Sequence, residues 1–222
     1  MFKHEFVNLG YDDLTADTKE SGRTYLIPDG NKYPSVTTVL SIINKDKILA
    51  WRARVGAEEA NRVSSRASKR GSQVHDIIER YLRNEECTRE YLPHIIGSLQ
   101  NIRPILDKSI GVISALEAPL FSSHLGVAGR VDCVAEFDGV PSIIDFKTSK
   151  RFKRKEDIGH YFAQLSAYAI MWEERTGKPI VNTVLIMDVD DNRPVVFKEH
   201  RDNYTELLLK TIKKFKLNQK TC

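Results

Sequence analysis

Three strand-length segments follow one another between residues 111 and 149: "GVISALEAPLFS", "GVAGRVDCVAEF" and "PSIIDFKTS". Only the short turns "SHLG" and "DGVP" separate them. Connections that short join antiparallel neighbours, so the three segments form a meander. A helix-length segment follows, "EDIGHYFAQLSAYAIMWEERTG", with Ile158, Phe162, Leu165, Ala169 and Trp172 along one side. The next strand is "PIVNTVLIMDV", and "RPVVFKE" is placed to pair with it. "RDNYTELLLKTIKKFKLNQK" closes the chain as an amphipathic helix. Strands, then a helix, then strands make an α/β core.

The region before this core reads differently. "RTYLIP" and "GNKYPS" suggest a small hairpin turning at "DGN", and residues 1–20 carry no clear period. In "SVTTVLSII" Ser35 suits an N-cap, and Val36, Val39, Leu40 and Ile43 fall at helical spacing. "KDKILAWRARVG" reads as a short helix ending near Gly56. Residues 57–84 read as helix, with a break near Gly71 open, and residues 90–108 follow as helix. The expected division is 1–70, a hairpin and helical region, and 71–222, the core with its C-terminal helix, packed as one unit.

With 222 residues, 41% hydrophobic and 29% charged, the chain is sized for one sizeable core. A net charge of +4 does not by itself imply a nucleic-acid partner. No apolar run approaches the roughly 18 residues of a membrane span, so no membrane partner is expected. The opening "MFKHEFVNLGYDDL" lacks the basic and apolar regions of a signal peptide, and its acids disfavour a transit peptide. A cytoplasmic, non-secreted protein is expected. Cys87, Cys133 and Cys222, with no CxxC, exclude a four-cysteine iron–sulfur or zinc site within the chain. No G-x-x-x-x-G-K-[ST] occurs, so no ATP-driven motor is expected.

The chemistry concentrates in "SIIDFKTSK". Period two puts Asp145 and Lys147 on one side of the strand, about 7 Å apart, and turns Ile144 and Phe146 into a core. Two readings stand: a solvated strand end with a weak ion pair, or the edge of a site. Asp132, in "GRVDCVAEF", lies on the hairpinned neighbour, so a short turn can bring the two carboxylates side by side. Two acids and a lysine on adjacent strands suit a hard divalent cation, which lowers the pKa of water and polarises a phosphoryl oxygen. His75, on a helix in "RGSQVH", is a further candidate ligand; a surface or core histidine is the alternative.

Taken in order, "RGSQVH", "GRVD", "IIDFKTSK" and "AQLSAYA" resemble the RecB-like branch of the PD-(D/E)XK nuclease superfamily. "YPSVTTVL" is similar to the entry segment of phage-type exonucleases. The resemblance covers roughly residues 70–190, with Val131 where the superfamily's name has proline. It implies a restriction-endonuclease-like core: a mixed central sheet flanked by helices, with a helical N-terminal region. It implies that His75, Asp132, Asp145 and the Phe146 carbonyl hold a metal, with Glu117 assisting. Lys147 would act on the attacking water, and Gln164 and Tyr168 would hold the active site or DNA near the metal. Helix packing for that pair and a solvated charge for Glu117 remain open. The cofactor implied is Mg2+, with Mn2+ able to substitute, without ATP and without an iron–sulfur cluster.

"KTSKRFKRK" holds six basic residues in nine, including Lys150, Arg151, Lys153 and Arg154. Directly after the candidate site it would form a cationic rim for phosphates, or be only a solvated loop. Arg52 and Arg70 add cations from the N-terminal helices. Trp51 could stack on a base or anchor a core, and Ser35 and Thr37 could bond a phosphate. Lys210, Lys213, Lys214 and Lys216 read as a solvated face. The expected activity is a metal-dependent exonuclease acting from a free end of single-stranded DNA, in phage DNA processing, recombination, repair or replication. If phage-encoded, its place is the host cytoplasm. A separate helicase, recombinase or single-strand-binding protein is a candidate partner. A flap or branch endonuclease and a non-catalytic nucleic-acid-binding module are the alternatives.

Overall fold

A computed structural model describes residues 1–87 and 89–220, leaving Cys222 outside the described residues. The meander forms as its short turns require: β5 (Ile110–Ser122), β6 (Val127–Phe137) and β7 (Val140–Ser149) run antiparallel in sequence. The N-terminal part supplies β1 (Lys3–His4), β2 (Thr15–Lys19), β3 (Gly22–Leu26) and β4 (Lys32–Pro34). It continues with α1 (Val36–Leu40), α2 (Lys45–Val55), α3 (Ala57–Leu82) and α4 (Pro93–Ser109). After the meander come α5 (Gly159–Thr176), β8 (Asn182–Val189), β9 (Val195–His200) and α6 (Asp202–Lys220).

The helix α5 returns the chain so that β8 lies parallel to β7, and β9 folds back antiparallel. The result is a mixed six-stranded sheet ordered β1-β5-β6-β7-β8-β9. β2, β3 and β4 form a separate three-stranded sheet. The hairpin at "DGN" is its second half, and β2 was not legible because all five of its residues are exposed.

Both faces of the large sheet are covered, which is why β7 and β8 read as near-continuous apolar runs. On one face Ile143, Leu185 and Met187 pack with Phe162, Leu165 and Trp172 of α5 and with Leu208 of α6. On the other, Ile144, Phe146 and Ile186 pack with Val74, Ile77 and Ile78 of α3 and with Ile95, Leu99 and Ile102 of α4. The alternation expected of β7 is thus present residue by residue.

Two N-terminal details matter below. Ser35 caps α1 by accepting the Thr38 N–H at 3.0 Å. The helix α3 runs unbroken through Gly71, where a break was open. A helical glycine costs about 1 kcal/mol against alanine, but packing of the Val74–Leu82 stripe overrides it. α3 passes close to β7 at Gly71, where a Cβ would lie 4.0 Å from the Thr148 hydroxyl, an ordinary contact.

Candidate active site

The site lies where the sheet loses its regular sidedness. Residues two apart in a strand normally share a face. In β5, however, Leu116 packs on the α3 side and Ala118 on the α5 side. The same reversal separates Cys133 from Val131 in β6. The residues between are Glu117 and Asp132, flanked by the register pairs Leu116↔Cys133 and Ala118↔Val131. Glu117 makes the switch by adopting φ 46, a left-handed conformation that costs a residue with a side chain about 1–3 kcal/mol. Arg130 steadies this turn of the backbone: its guanidinium donates to the Glu117 carbonyl and to Asp13.

On the other side of Asp132 the β6–β7 pairing stops at Cys133↔Ile144. Beyond that pair the Asp132 Oδ2 accepts the Phe146 N–H at 2.9 Å, in place of a backbone partner. His75 of α3 comes within 3.3 Å of the same oxygen through Nδ1. One ligand-type atom from each of His75, Glu117 and Asp132 lies within 4.8 Å of the others.

Asp145 is 1% exposed, so it is no solvated strand end. The Lys147 ammonium folds back to 2.5 Å from its Oδ2, giving an ion pair inside the site. The Lys147 Nζ also lies 3.4 Å from the Phe146 carbonyl, as its donor. From α5, the Gln164 amide donates to the Asp145 Oδ1 at 3.1 Å and to the Tyr168 hydroxyl at 3.4 Å. Tyr168 in turn packs on Gly129, where any Cβ would come within 2.8 Å of its ring. Tyr161, one helical turn before Gln164, sets its ring under the Lys147 ammonium at 5.5 Å.

Charge states follow from burial and pairing. Burial pushes the His75 imidazole down, but Asp132 beside it prevails and lifts it to about 9. Burial works to raise Asp132, and the His75 charge with the Phe146 N–H holds it below its usual range. Asp145 is raised to about 6 by burial, against the pull of Lys147. Glu117 is raised to about 7, first by burial and then by Asp132. Burial opposes the charge on Lys147, yet Asp145 and Asp132 raise its pKa and keep it an ammonium.

The clustered imidazole and two carboxylates of His75, Glu117 and Asp132, with the Asp145 carboxylate beside them, fit a hard or borderline divalent cation. His75, Glu117, Asp132 and Asp145 would hold it. A cation needs those groups deprotonated, so its binding releases protons. With His75 near 9 and Glu117 near 7, metal affinity should rise with pH between about pH 6 and 9. At pH 7 the expected slope is roughly one to one and a half decades per pH unit. Calorimetric titration with Mn2+ in buffers of differing ionisation enthalpy counts the protons; a pH-independent affinity would contradict this ligand set.

The other residues singled out in the sequence sit outside this centre. Lys150, Arg151, Lys153 and Arg154 are exposed in the loop leaving β7. Arg70 of α3 is tied to Asp188, at 2.8 Å, and to Asp190. It lines a groove of about 1390 Å³ between α3, α4 and the ends of β7 and β8, together with Arg62, Arg66, Lys69 and Lys150. Arg52 donates to Asn61 at 2.7 Å, and Trp51 beside it is half-buried on α2. The Ser35 hydroxyl is spent on capping and on Thr37 and Thr38, while Thr37 is exposed. The sequence reading passed over Arg130 and Tyr161. Tyr161 was legible in principle, since 161, 164 and 168 recur on one helix face. Arg130 was not, because its role depends on the bend at Glu117.

A mixed sheet carrying apposed acids beside a lysine defines the class as a nuclease fold. Residues 49–216 match the PD-(D/E)XK nuclease superfamily, and the chain belongs to that superfamily. The curated relatives include mitochondrial genome maintenance exonuclease 1 of Homo sapiens, 29% identical over 133 residues, covering 55% of this chain and 38% of the relative. The Mus musculus protein of the same name is 30% identical over 132 residues, covering 55% and 39%. The chain therefore matches about two-fifths of the length of these relatives. Among solved structures, a proposed exonuclease from Eubacterium rectale aligns with TM-score 0.43 at 14% identity, covering 64% of this chain and 63% of that one. Among the described residues no helix is long and apolar enough to cross a membrane.

Proposed function

We propose that this protein is a divalent-metal-dependent DNA exonuclease, using Mg2+ or Mn2+ and acting from a free end of single-stranded DNA. The observation that carries the reading is the convergence of His75, Glu117 and Asp132 beside the Asp145–Lys147 pair. When bound, the metal supplies Lewis-acid stabilisation of the phosphoryl group and a more acidic water.

The chain's own residues account for the rest. The Lys147 ammonium is held by Asp145 and the Tyr161 ring, so it can hold and orient a water for in-line attack on phosphorus. The same fixed cation opposes charge growing on the phosphate oxygens. Gln164 fixes the Asp145 carboxylate, leaving Oδ2 facing the site. Asp132 keeps its orientation through the Phe146 N–H. The basic groove and the loop after β7 offer phosphate contacts that carry no sequence information. These features suit DNA processing during recombination, repair or replication.

The deciding experiment compares end-labelled linear single-stranded DNA with a closed circle of the same sequence, in Mg2+. Loss of the linear strand alone is expected. Cleavage of the circle would replace this reading with an endonuclease, and cleavage of neither, with binding intact, would leave a binding module.

A further inference from the structure

Phe152 stands out on this surface. It is 66% exposed, in a loop whose neighbours Lys150, Arg151, Lys153 and Arg154 are all exposed as well. An exposed phenylalanine ring gives up the favourable burial that apolar surface otherwise gains. The ring is presented by a defined turn. The Ser149 hydroxyl donates to the Arg151 carbonyl at 2.6 Å and accepts its N–H at 3.4 Å. Ser149 itself is buried at the end of β7, so the loop is anchored to the strand that carries Asp145 and Lys147. Five residues from Lys147 to Phe152 reach at most roughly 18 Å, within the span of a short strand bound at the site.

Another exposed surface of the N-terminal part has a similar composition. No residue of α2 is buried, and it exposes Ile48 (47%) and Leu49 (53%) among Lys45, Lys47 and Arg54. Lys150 also lies near α3, joining Arg62 and Arg66 in holding Glu59 low.

Cations alternating with exposed apolar groups match one kind of ligand. Along its length a duplex shows phosphates, sugars and groove edges, while its base faces are stacked inside. An unpaired strand shows phosphates and bare base faces together. We propose that Phe152 is a stacking platform for an unpaired nucleobase, with Lys150, Arg151, Lys153 and Arg154 holding the phosphates of the same strand. This rests on the nuclease reading and deepens it, since the platform selects single-stranded over paired substrate.

The test measures equilibrium binding in EDTA, so that no cleavage intervenes. The probes are a labelled oligothymidylate and an abasic deoxyribose-phosphate strand of equal length and charge. Phe152→Ala should weaken oligothymidylate binding about tenfold and leave the abasic strand unchanged, with Phe152→Trp restoring the loss. Equal losses on both strands, or no loss on either, would overturn the platform while the cleavage assay still stands for the parent reading. Failure of the wild-type protein to bind either strand would overturn the platform, and the cleavage assay in Mg2+ alone would decide the parent reading. Melting curves of the two variants matching the wild type exclude a folding effect, as expected for so exposed a side chain.

Discussion

Lys147→Met is expected to lower phosphodiester cleavage by about 10²–10⁴-fold while leaving Mn2+ affinity at pH 8 within a factor of ten. The asymmetry follows from geometry. Lys147 carries no ligand atom; it sits 2.5 Å from Asp145 Oδ2 and over the Tyr161 ring, and the proposed mechanism uses it to orient the water. Asp145→Asn should instead reduce both cleavage and Mn2+ affinity, because it removes a charged oxygen. It should also destabilise the fold, since it strands the Lys147 ammonium in a buried setting. Methionine at 147 keeps the packing of the stem, and measurement at pH 8 keeps Asp145 ionised despite the loss of its partner. Manganese binding followed by paramagnetic resonance, beside single-turnover cleavage, separates the two effects. Cleavage by Lys147→Met within tenfold of the wild type would remove Lys147 from the chemistry.

Glu117→Gly should raise the stability of the metal-free protein and weaken its hold on metal. At φ 46 glutamate pays a steric cost that glycine avoids. Relief is worth about 1–3 kcal/mol, or about 2–4 °C in Tm for each kcal/mol in a chain this size. The buried carboxylate adds to the gain at neutral pH and above. Its folded pKa, about 7, lies above the ordinary value, so the folded state binds more protons than the unfolded one. Stability from this group is present at low pH and lost as pH rises through about 7. His75, lifted to about 9, acts in the same direction, its share lost between about 6.5 and 9. The metal-free wild type should therefore melt lower at pH 9 than at pH 5, and Glu117→Gly should narrow that gap. Glu117→Ala is the control: it removes the carboxylate but keeps the backbone strain, so it should gain less Tm. Equal Tm for the two variants would mean the left-handed turn stores no strain.

These expectations show what was written into the chain locally. Period two in "SIIDFKTSK" placed Asp145 and Lys147 together on one side and Ile144 and Phe146 in the core. Short turns dictated the antiparallel meander, and spacing four put Gln164 and Tyr168 on one helix face. The hydroxyl of Ser35 was legible as a cap: its oxygen accepts the Thr38 N–H, and its hydrogen goes to the Thr38 hydroxyl.

What local pattern could not decide is where separate elements meet. Periodicity specifies directions within one strand or helix and carries no information about distances between them. Leu116 and Ala118 facing opposite ways contradicts strand alternation, and only the paired bend at Glu117 and Asp132 explains it. Whether His75 stood on the surface or beside Asp132 depended on α3 packing against the sheet. Arg70 looked like a free cation until β8 brought Asp188 and Asp190 to it. The sequence by itself determined the elements and the acid–lysine pair, because both follow from backbone period. The tertiary structure alone decided the metal-type cluster of His75, Glu117 and Asp132, because its members come from α3, β5 and β6 and meet only when the sheet bends and the helix packs.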